Sequence, residues 1–328
     1  MLLLSKDDIE NFYSLEDCID AVGDAFKLFS AGKVQVPLRT QIKKQNDQDT
    51  FLCMPAFCEE YDASCVKVLN MFPNNINQGL ASINAQVLNI DAKTGIVDTV
   101  MDGTYVTQLR TGAASGVAFK YLAKKDCRKG ALIGTGGQAE TQLAAMLSVR
   151  DLEVVEVSDL NFERAQEFAE KMSEKLADYQ TKIVAAKSAN EAVKNADLVI
   201  TVTTAKKPVY DANNIKPGAT VSGVGSYQPD MQETPAGLLE KADKIFFDSQ
   251  EAVLAEAGDI LKPLAEKTIT NADFTGDIGK VISEDISGRQ NDQEIIFFKT
   301  VGIAAQDLMT AKSIHDKAVA EGFGTYWN

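Results

Sequence analysis

The sequence predicts an α/β protein, in which a smaller α+β region precedes a doubly wound parallel sheet. Three observations lead to this expectation: short apolar runs alternate with helical patterns from residue 130 onward, a glycine cluster follows the first of these runs, and β-rich runs fill residues 50–101. Strands separated by helices are joined by crossovers, so the alternation is typical of a parallel sheet buried on both faces.

Length, composition and charge limit the possible functions. The chain has 328 residues, 45% of them apolar, which is enough for a large core and about two domains. A formal net charge of −14 would repel nucleic acid and anionic membranes, so neither is an expected partner. The N-terminus has no signal-peptide pattern and no segment approaches the roughly 20 apolar residues of a membrane span, so we expect a cytoplasmic protein.

Cysteine and histidine content narrows the chemistry. Five cysteines without a CxxC pair suggest neither a disulfide framework nor a zinc site, and we expect no metal. His315 is the only histidine and is interpreted as structural. The sequence therefore offers no histidine for a Ser-His-Asp triad, and proton transfer would depend on Lys, Asp, Glu, Tyr or water.

The N-terminal region begins with a helix and continues as strands. Residues 14–31 place apolar side chains at helical spacing, and Ser14 with Asp17 forms a capping-box pattern at the start. The β-rich runs of residues 50–101, with turn chemistry at 91–95, predict an antiparallel sheet.

A helix with a centre of small residues is predicted next, over residues 104–123. Its residues 112–116 are Gly, Ala, Ala, Ser and Gly, which lower helix propensity. Such a run is tolerable where another backbone must approach closely, so we expect tight packing there.

The doubly wound region is predicted from residue 130 onward. After the apolar run at 294–302, a helix to about residue 320 closes the chain. The predicted strands are 131–133, 153–157, 182–186, 198–203, 220–224 and 244–248, and they alternate with helical runs such as 138–149, 162–176 and 188–195.

The glycine cluster "GTGGQA" explains how this sheet would bind a ligand. Gly134 and Gly136 match the first two positions of GxGxxG, and Ala139 stands at the third, which tolerates alanine. The first glycine allows a sharp turn, the second lets a pyrophosphate reach the backbone, and a helix starting near Gln138 offers unpaired N–H groups. The pattern predicts a Rossmann-type dinucleotide site, although such turns also serve packing alone.

Asp159 favours NAD over NADP. It ends the next predicted strand, 23 residues after Gly136, close to the spacing of about 20 for a carboxylate that binds the adenosine ribose. A carboxylate there repels a 2′-phosphate, and Leu160 stands where an arginine would suit NADP. The alternatives are that Asp159 is a solvated strand end and that the cofactor is NADP.

Further motifs are spread over nearly the whole chain. They are "VPLRT" (36–40), "FLCMPA" (51–56), "VKVLNMFPNN" (66–75), "NIDAKTGIVDTVMDGTYVTQLRTGAASGVA" (89–118), "GTGGQA" (134–139), "ADLVITVTT" (196–204), "IKPGATVSGVGSYQPDMQE" (215–233), "FFDSQEAVLAEAGD" (246–259) and "FFKTVGIAAQDL" (297–308). No single motif is specific, but their combination resembles the ornithine cyclodeaminase/μ-crystallin family over nearly the whole chain.

The resemblance implies a domain organisation and an assembly. Residues 1–120, completed by the C-terminal helix in 303–328, would form a substrate-binding and dimerisation domain of α+β type. Residues 121–302 would form the Rossmann-type dinucleotide-binding domain. The expected protein is an NAD(P)-dependent homodimer.

The resemblance also implies a substrate site. Residues matching Arg39, Lys67 and Arg110 would hold the carboxylate of an imino or amino acid, and guanidinium groups suit a planar carboxylate. Lys67 lies in "CVKVL", where the period of two sends it to the face opposite its valine neighbours. A buried lysine there would need an anion as partner. Arg110 on a helix surface and Arg39 in a solvated loop are the structural alternatives.

The candidate cofactor-binding residues extend beyond the glycine turn and Asp159. They are Gly134, Thr135, Gly136, Gly137, Gln138, Ala139, Asp159, Arg110, Thr111, Thr203, Ser82 and Val224.

Two departures from the family pattern favour a reductase. Tyr227 and Leu52 stand where ornithine cyclodeaminases carry an aspartate and a glutamate. Asp230 is interpreted as a turn residue after Pro229, with a catalytic role as the alternative. The leading hypothesis is hydride transfer to or from the α-carbon of a small imino or amino acid, as in ketimine reductases or alanine-dehydrogenase-like enzymes. The alternatives are an ornithine cyclodeaminase, which forms proline and ammonia while recycling NAD, and a non-catalytic μ-crystallin-like binding protein.

Overall fold

The computed structural model describes residues 1–37, 39–44 and 49–327; Leu38, in the motif "VPLRT", lies outside the described residues. The chain forms two compact units, Met1–Arg110 with Ile303–Asn328, and Thr111–Gly302. The division falls inside the helix Gly103–Leu122, whereas the sequence predicts a boundary at residue 120, near the end of the same helix. The functions assigned to the two domains stay predictions.

Among its described residues, the first unit has a mixed sheet of eight strands. The strands are β1 (Leu2–Leu4), β2 (Val34–Gln35), β3 (Thr40–Lys43), β4 (Thr50–Cys58), β5 (Ala63–Met71), β6 (Ile83–Asp91), β7 (Val97–Asp102) and β16 (Thr325–Tyr326). Their order in the sheet is β16-β1-β7-β6-β5-β4-β2, and β3 also pairs with β4. The pairs from β4 to β7 are antiparallel, as predicted, whereas β1 runs parallel to β7.

Helices cover one face of this sheet. They are α1 (Lys6–Phe12), α2 (Leu15–Ser30) and α11 (Ala304–Glu321). The predicted capping box is confirmed, because Ser14 Oγ accepts the N–H of Asp17 and the Asp17 carboxylate accepts the N–H of Ser14. Helix α11 packs on α2 and on strands β4, β5 and β6, so the C-terminal helix completes the core of the first unit.

Helix α3 (Gly103–Leu122) carries the run of small residues. A Cβ added at Gly112 would lie 2.5 Å from the carbonyl oxygen of Thr141, which is closer than real contacts allow. The predicted close approach of another backbone is therefore confirmed. The side chain of Gln142 fixes the same contact by donating to the carbonyl of Thr111 over 2.8 Å.

The second unit contains the predicted doubly wound sheet, and all of its strand pairs are parallel. The strands are β8 (Lys129–Ile133), β9 (Val154–Ser158), β10 (Lys182–Ala185), β11 (Leu198–Thr201), β12 (Thr220–Gly223), β13 (Lys244–Phe247), β14 (Gly276–Asp277) and β15 (Ile296–Lys299). Their order in the sheet is β10-β9-β8-β11-β12-β15-β13-β14, so the strand order reverses between β8 and β11. Open α/β sheets bind ligands at a reversal of this kind.

The helices of the second unit were predicted only in part. The first three helices agree with the predicted bounds to within two residues, and so do the six predicted strands. No bounds were predicted for the four later helices. Each of those four has at most eight residues, too few for a periodic pattern, and α9 contains Pro263. The helices are α4 (Ala139–Val149), α5 (Phe162–Lys175), α6 (Ala189–Val193), α7 (Ala236–Lys241), α8 (Gln250–Glu256), α9 (Gly258–Ala265) and α10 (Ile278–Ile282).

Within the described ranges, no helix combines the length and the apolar character needed to cross a bilayer. All five cysteines are described and are free thiols, four of them buried. His315 lies on α11, where its Nδ1 forms a hydrogen bond with Thr99 Oγ1, in agreement with a structural role.

Candidate functional site

The turn after β8 requires glycine at its first position. Gly134 has φ +104°, a conformation that side chains rarely adopt. A Cβ there would also lie 2.7 Å from the carbonyl oxygen of Val202 and 2.9 Å from Cγ2 of Thr203. The turn is therefore pressed against the segment that follows β11.

The next two glycines, Gly136 and Gly137, differ from Gly134 in their surroundings. Gly136 and Gly137 are exposed, and a Cβ at either position would meet no protein atom within 4 Å. Packing within the chain does not require glycine at these positions. A ligand that approaches the backbone closely would require it. Helix α4 begins at the fully buried Ala139 and directs its N-terminal N–H groups toward this turn. These residues fit a bound pyrophosphate.

Asp159 follows β9 and is bound to the same turn. Its Oδ2 accepts the N–H of Thr135 over 3.1 Å and the hydroxyl of Thr135 over 2.7 Å, and its Oδ1 accepts the N–H of Asn161 over 3.0 Å. Partial burial acts to raise the pKa of Asp159, but these hydrogen bonds outweigh it and lower the pKa. The group is thus a carboxylate at neutral pH. The side chain of Leu160, next in the chain, is fully exposed.

The remaining candidate cofactor residues divide between the two units. Thr111, Thr203 and Val224 belong to the second unit with the glycine turn, and Thr203 and Val224 follow the carboxyl ends of β11 and β12. Ser82 and Arg110 belong to the first unit, where Ser82 lies on an exposed segment before β6.

Lys67 occupies the inner face of the first unit's sheet. It lies on β5 opposite Met54 of β4 and Val87 of β6, and it is fully buried, whereas Val68 faces outward. The predicted orientation of Lys67 is therefore confirmed. Its Nζ donates to both carboxylate oxygens of Asp307, each over 2.7 Å.

The three predicted cations influence one another. The Nε of Arg110 lies 3.2 Å from Oδ1 of Asp307, and the Arg110 side chain is nearly buried. Burial and then the charge of Arg110 lower the pKa of Lys67 to about 8; Asp307 opposes them, and the half-buried Arg39 lowers it further. Two of these cations, Lys67 and Arg110, thus contact one internal carboxylate, that of Asp307.

Asp307 was missed by sequence reasoning. It lies in the first turn of α11 and is fully buried, far along the chain from Lys67. The one signal in the sequence was indirect: a lysine in a buried strand position needs an anion, and "IAAQDLM" (303–309) places an aspartate among residues that α11 buries.

An apolar row lies beside Lys67. Leu52, Leu69 and Ala85 are paired across β4, β5 and β6, and Leu69 is two positions from Lys67 on the same face. This wall contains Leu52, where ornithine cyclodeaminases were expected to have a glutamate. In the second unit, Tyr227 is half-buried, and the exposed Asp230 pairs with Lys206 over 2.7 Å.

In the part of the chain that the structure describes, no group of three or more His, Cys, Asp or Glu side chains is arranged to hold a metal ion.

A parallel sheet with a glycine turn at its switch point, and with a carboxylate after the next strand, defines a protein of the Rossmann-type dinucleotide-binding class. Comparison with known proteins identifies the family. The profile of the ornithine cyclodeaminase/mu-crystallin family matches residues 1–322. The chain belongs to this family.

Similar proteins include enzymes that act on imino and amino acids. The Δ1-pyrroline-2-carboxylate reductase of Bacillus cereus is 36% identical over 324 residues, which cover 99% of this chain and 98% of that one. The structure of Thermococcus litoralis Δ1-pyrroline-2-carboxylate reductase in complex with NADH and L-proline has a TM-score of 0.94 and 40% identity, with both chains covered completely. An archaeal alanine dehydrogenase dimer with bound NAD has a TM-score of 0.90 and 31% identity, covering 100% of this chain and 99% of that one.

Proposed function

We propose that the protein is an NAD-dependent reductase of a small cyclic imino acid, with Δ1-pyrroline-2-carboxylate as the leading substrate and L-proline as the product. The observation that carries this proposal is the buried cationic group of Lys67 and Arg110 on Asp307, with an apolar wall beside it. Cations suit the substrate's carboxylate, and an apolar wall suits its ring. The two Δ1-pyrroline-2-carboxylate reductases, at 36% and 40% identity, support the same substrate.

The second unit would hold the cofactor. Residues 134–139 would bind the pyrophosphate through backbone N–H groups, and Asp159 would accept from the adenosine ribose. An ionised Asp159 disfavours a 2′-phosphate, which makes NADH the preferred form over NADPH. When bound, the cofactor supplies the hydride that the α-carbon of the substrate receives.

The first unit would anchor the substrate's carboxylate. Arg110 and Arg39 provide planar guanidinium groups, which match the geometry of a carboxylate, and the Arg110 side chain is nearly buried. Holding the carboxylate fixes the position of the α-carbon, so much of the rate enhancement would come from orientation.

Lys67 would hold the proton that the imine nitrogen takes up. With a pKa of about 8, its ammonium group is mostly protonated at pH 7 and is a stronger acid than an exposed lysine. Reduction of the C=N bond consumes one hydride at carbon and one proton at nitrogen, so a nearby acid balances the reaction. Asp307 keeps Lys67 oriented and prevents an even lower pKa.

The apolar wall argues against the cyclodeaminase alternative. Ornithine cyclisation involves a second amino group, for which a carboxylate partner was expected at position 52. The side chain there is that of Leu52, which belongs to a buried apolar cluster with Leu69 and Ala85. A pyrroline ring has no such amine and needs no carboxylate at this position.

We also propose a homodimer that forms through the outer face of the first unit's sheet. Phe51, Ile42 and Val68 share that face and are exposed by 43%, 64% and 39%. Apolar area of this kind marks interaction sites, and the archaeal alanine dehydrogenase is a dimer. Free thiols throughout suit a reducing cytosol.

Assays of the purified protein for NADH consumption test the proposed function. We expect stoichiometric oxidation of NADH with Δ1-pyrroline-2-carboxylate. Ornithine with catalytic NAD tests the cyclodeaminase, and pyruvate with ammonia tests an alanine-dehydrogenase-like reaction. Proline formation from ornithine without net NADH change would overturn the proposal, as would tight NADH binding without turnover of any imino acid.

A further inference from the structure

Glu233 connects two segments at the carboxyl edge of the parallel sheet. It is fully buried, and each of its carboxylate oxygens accepts one backbone N–H: Oε1 from Thr203, and Oε2 from Gly225 over 2.6 Å. Thr203 follows β11 and Gly225 follows β12. One carboxylate thus holds the ends of two neighbouring strands.

These contacts reach the glycine turn directly. A Cβ at Gly225 would lie 2.0 Å from the carbonyl oxygen of Thr203, and a Cβ at Gly134 would lie 2.9 Å from Cγ2 of Thr203. Thr203 is therefore enclosed between the first glycine of the turn and Gly225. Any displacement of Thr203 changes the support under the turn that would bind the pyrophosphate.

A buried network fixes Glu233 itself. Oδ1 of Asp259, in the first turn of α9, accepts the N–H groups of Glu233 and Thr234 over 2.7 Å and 2.9 Å. The Nζ of Lys299 lies 3.3 Å from Oδ2 of Asp259 and donates to the carbonyl of Gly223 over 3.0 Å. Asp259 and Lys299 are both fully buried, so the backbone of Glu233 has little freedom.

The titratable groups that face Glu233 come from three elements: Asp259 on α9, Lys299 on β15, and Tyr210 on the segment between β11 and β12. Burial and then the charge of Asp259 raise the pKa of Glu233 to about 7, while Lys299 and hydrogen bonding from Thr203 oppose the rise. A protonated carboxyl group places a donor on one of its oxygens, which then no longer accepts an amide well.

We propose that Glu233 is a positioning residue for the dinucleotide, because its ionised carboxylate holds Thr203 and Gly225 in the places that support the glycine turn. The inference rests on the proposed binding of NADH. Its consequence is that the affinity for NADH falls as pH decreases through about 7, since protonation releases one of the two amides.

The test is a fluorescence titration with NADH of the wild type and of Glu233→Gln. The glutamine side chain offers one acceptor oxygen, so one of the two amides faces an NH₂ group instead. We expect the dissociation constant for NADH to rise by about tenfold or more. We also expect the wild-type affinity to fall between pH 8 and pH 6 and the variant's affinity to be independent of pH.

Asp197→Asn is the matched control. Asp197 is a buried carboxylate before β11, at the opposite edge of the same sheet, and it accepts the N–H groups of Arg128 and Lys129 over 2.8 Å and 3.1 Å. This variant should lower the melting temperature but leave the affinity for NADH unchanged. His315→Gln, which removes the only histidine, should retain the wild-type pH dependence.

The outcomes separate this inference from the proposed function. If the wild type binds NADH and Glu233→Gln binds it equally well, the inference is wrong and the function stands. If the variant does not fold, the wild type alone decides, because an affinity that is constant from pH 6 to pH 8 would refute the inference. If the wild type does not bind NADH at any pH, both proposals fail.

Discussion

Asp307→Asn tests the buried cationic group most directly. The substitution keeps the shape of the side chain and removes the only carboxylate that pairs with Lys67 among the described residues. The Lys67 ammonium is fully buried, so it must either remain charged without a partner or lose its proton.

The magnitude follows from these two costs. Deprotonating a lysine with a pKa of about 8 costs about 1 kcal/mol at pH 7. Loss of a charge-assisted hydrogen bond costs about 1.5–3 kcal/mol, so the expected total is about 3–4 kcal/mol. This agrees with the roughly 3–5 kcal/mol that is typical when one partner of a buried ion pair is removed.

Equilibrium unfolding in urea at pH 7 measures this loss, and Asp316→Asn is the control. Asp316 lies on the same helix, is 56% exposed and pairs with Lys312 over 2.7 Å. Exposed pairs contribute about 0–1 kcal/mol, so the control should unfold close to the wild type. If Asp307→Asn unfolds within about 1 kcal/mol of Asp316→Asn, the buried pair does not have the energetic role assigned to it.

Three further predictions address the two proposed binding sites. Arg110→Leu should abolish most turnover of Δ1-pyrroline-2-carboxylate while NADH binding remains measurable by fluorescence; full activity in this variant would remove Arg110 from the substrate site. Asp159→Ala should weaken NADH binding by about 1–3 kcal/mol, in the same titration, and an equal or larger loss for NADPH would contradict the preference for NADH. Folding lowers the pKa of Lys67 from its usual 10.5 to about 8. Between these two pH values Lys67 is protonated in the unfolded chain and deprotonated in the folded one, so the free energy of unfolding rises with pH. Across this range it should rise by about 3 kcal/mol more in the wild type than in Lys67→Met. If the free energies of unfolding of these two proteins change with pH in the same way, the pKa of Lys67 is not lowered.

The parallel sheet and the glycine turn could be predicted because their signals are local. Strands β8 to β13 are short apolar runs between turn residues, and the turn at Gly134 has a spacing that few other structures require. Close packing of α3 was predictable for the same reason, since Gly112 lies in an uninterrupted run of small residues. Each of these patterns lies within about 20 residues, as is typical of predictable elements.

The four short helices between residues 236 and 282 and the parallel pairing of β1 with β7 were not predictable in this way. A helix of five to eight residues shows too little periodicity, and tertiary packing rather than propensity stabilises it. The partner of a three-residue strand such as Leu2–Leu4 is chosen by the rest of the sheet, and nothing in those three residues indicates that it is β7.

Asp307 and Glu233 were missed for a physical reason that also explains their roles. Lys67 and Asp307 are separated by 240 residues, and Glu233 and Thr203 by 30, so no local pattern connects either carboxylate with its partner. The sequence does reveal the need for a partner: a lysine inside an apolar strand requires an anion, and N–H groups that emerge from buried parallel strands require acceptors. In both places the chain satisfies that need with a fully buried carboxylate. A buried carboxylate is stable only while all of its partners stay in place, so removing one partner should affect the whole local arrangement. It is for this reason that the two carboxylates, rather than the cations and amides they hold, are the sensitive positions to substitute.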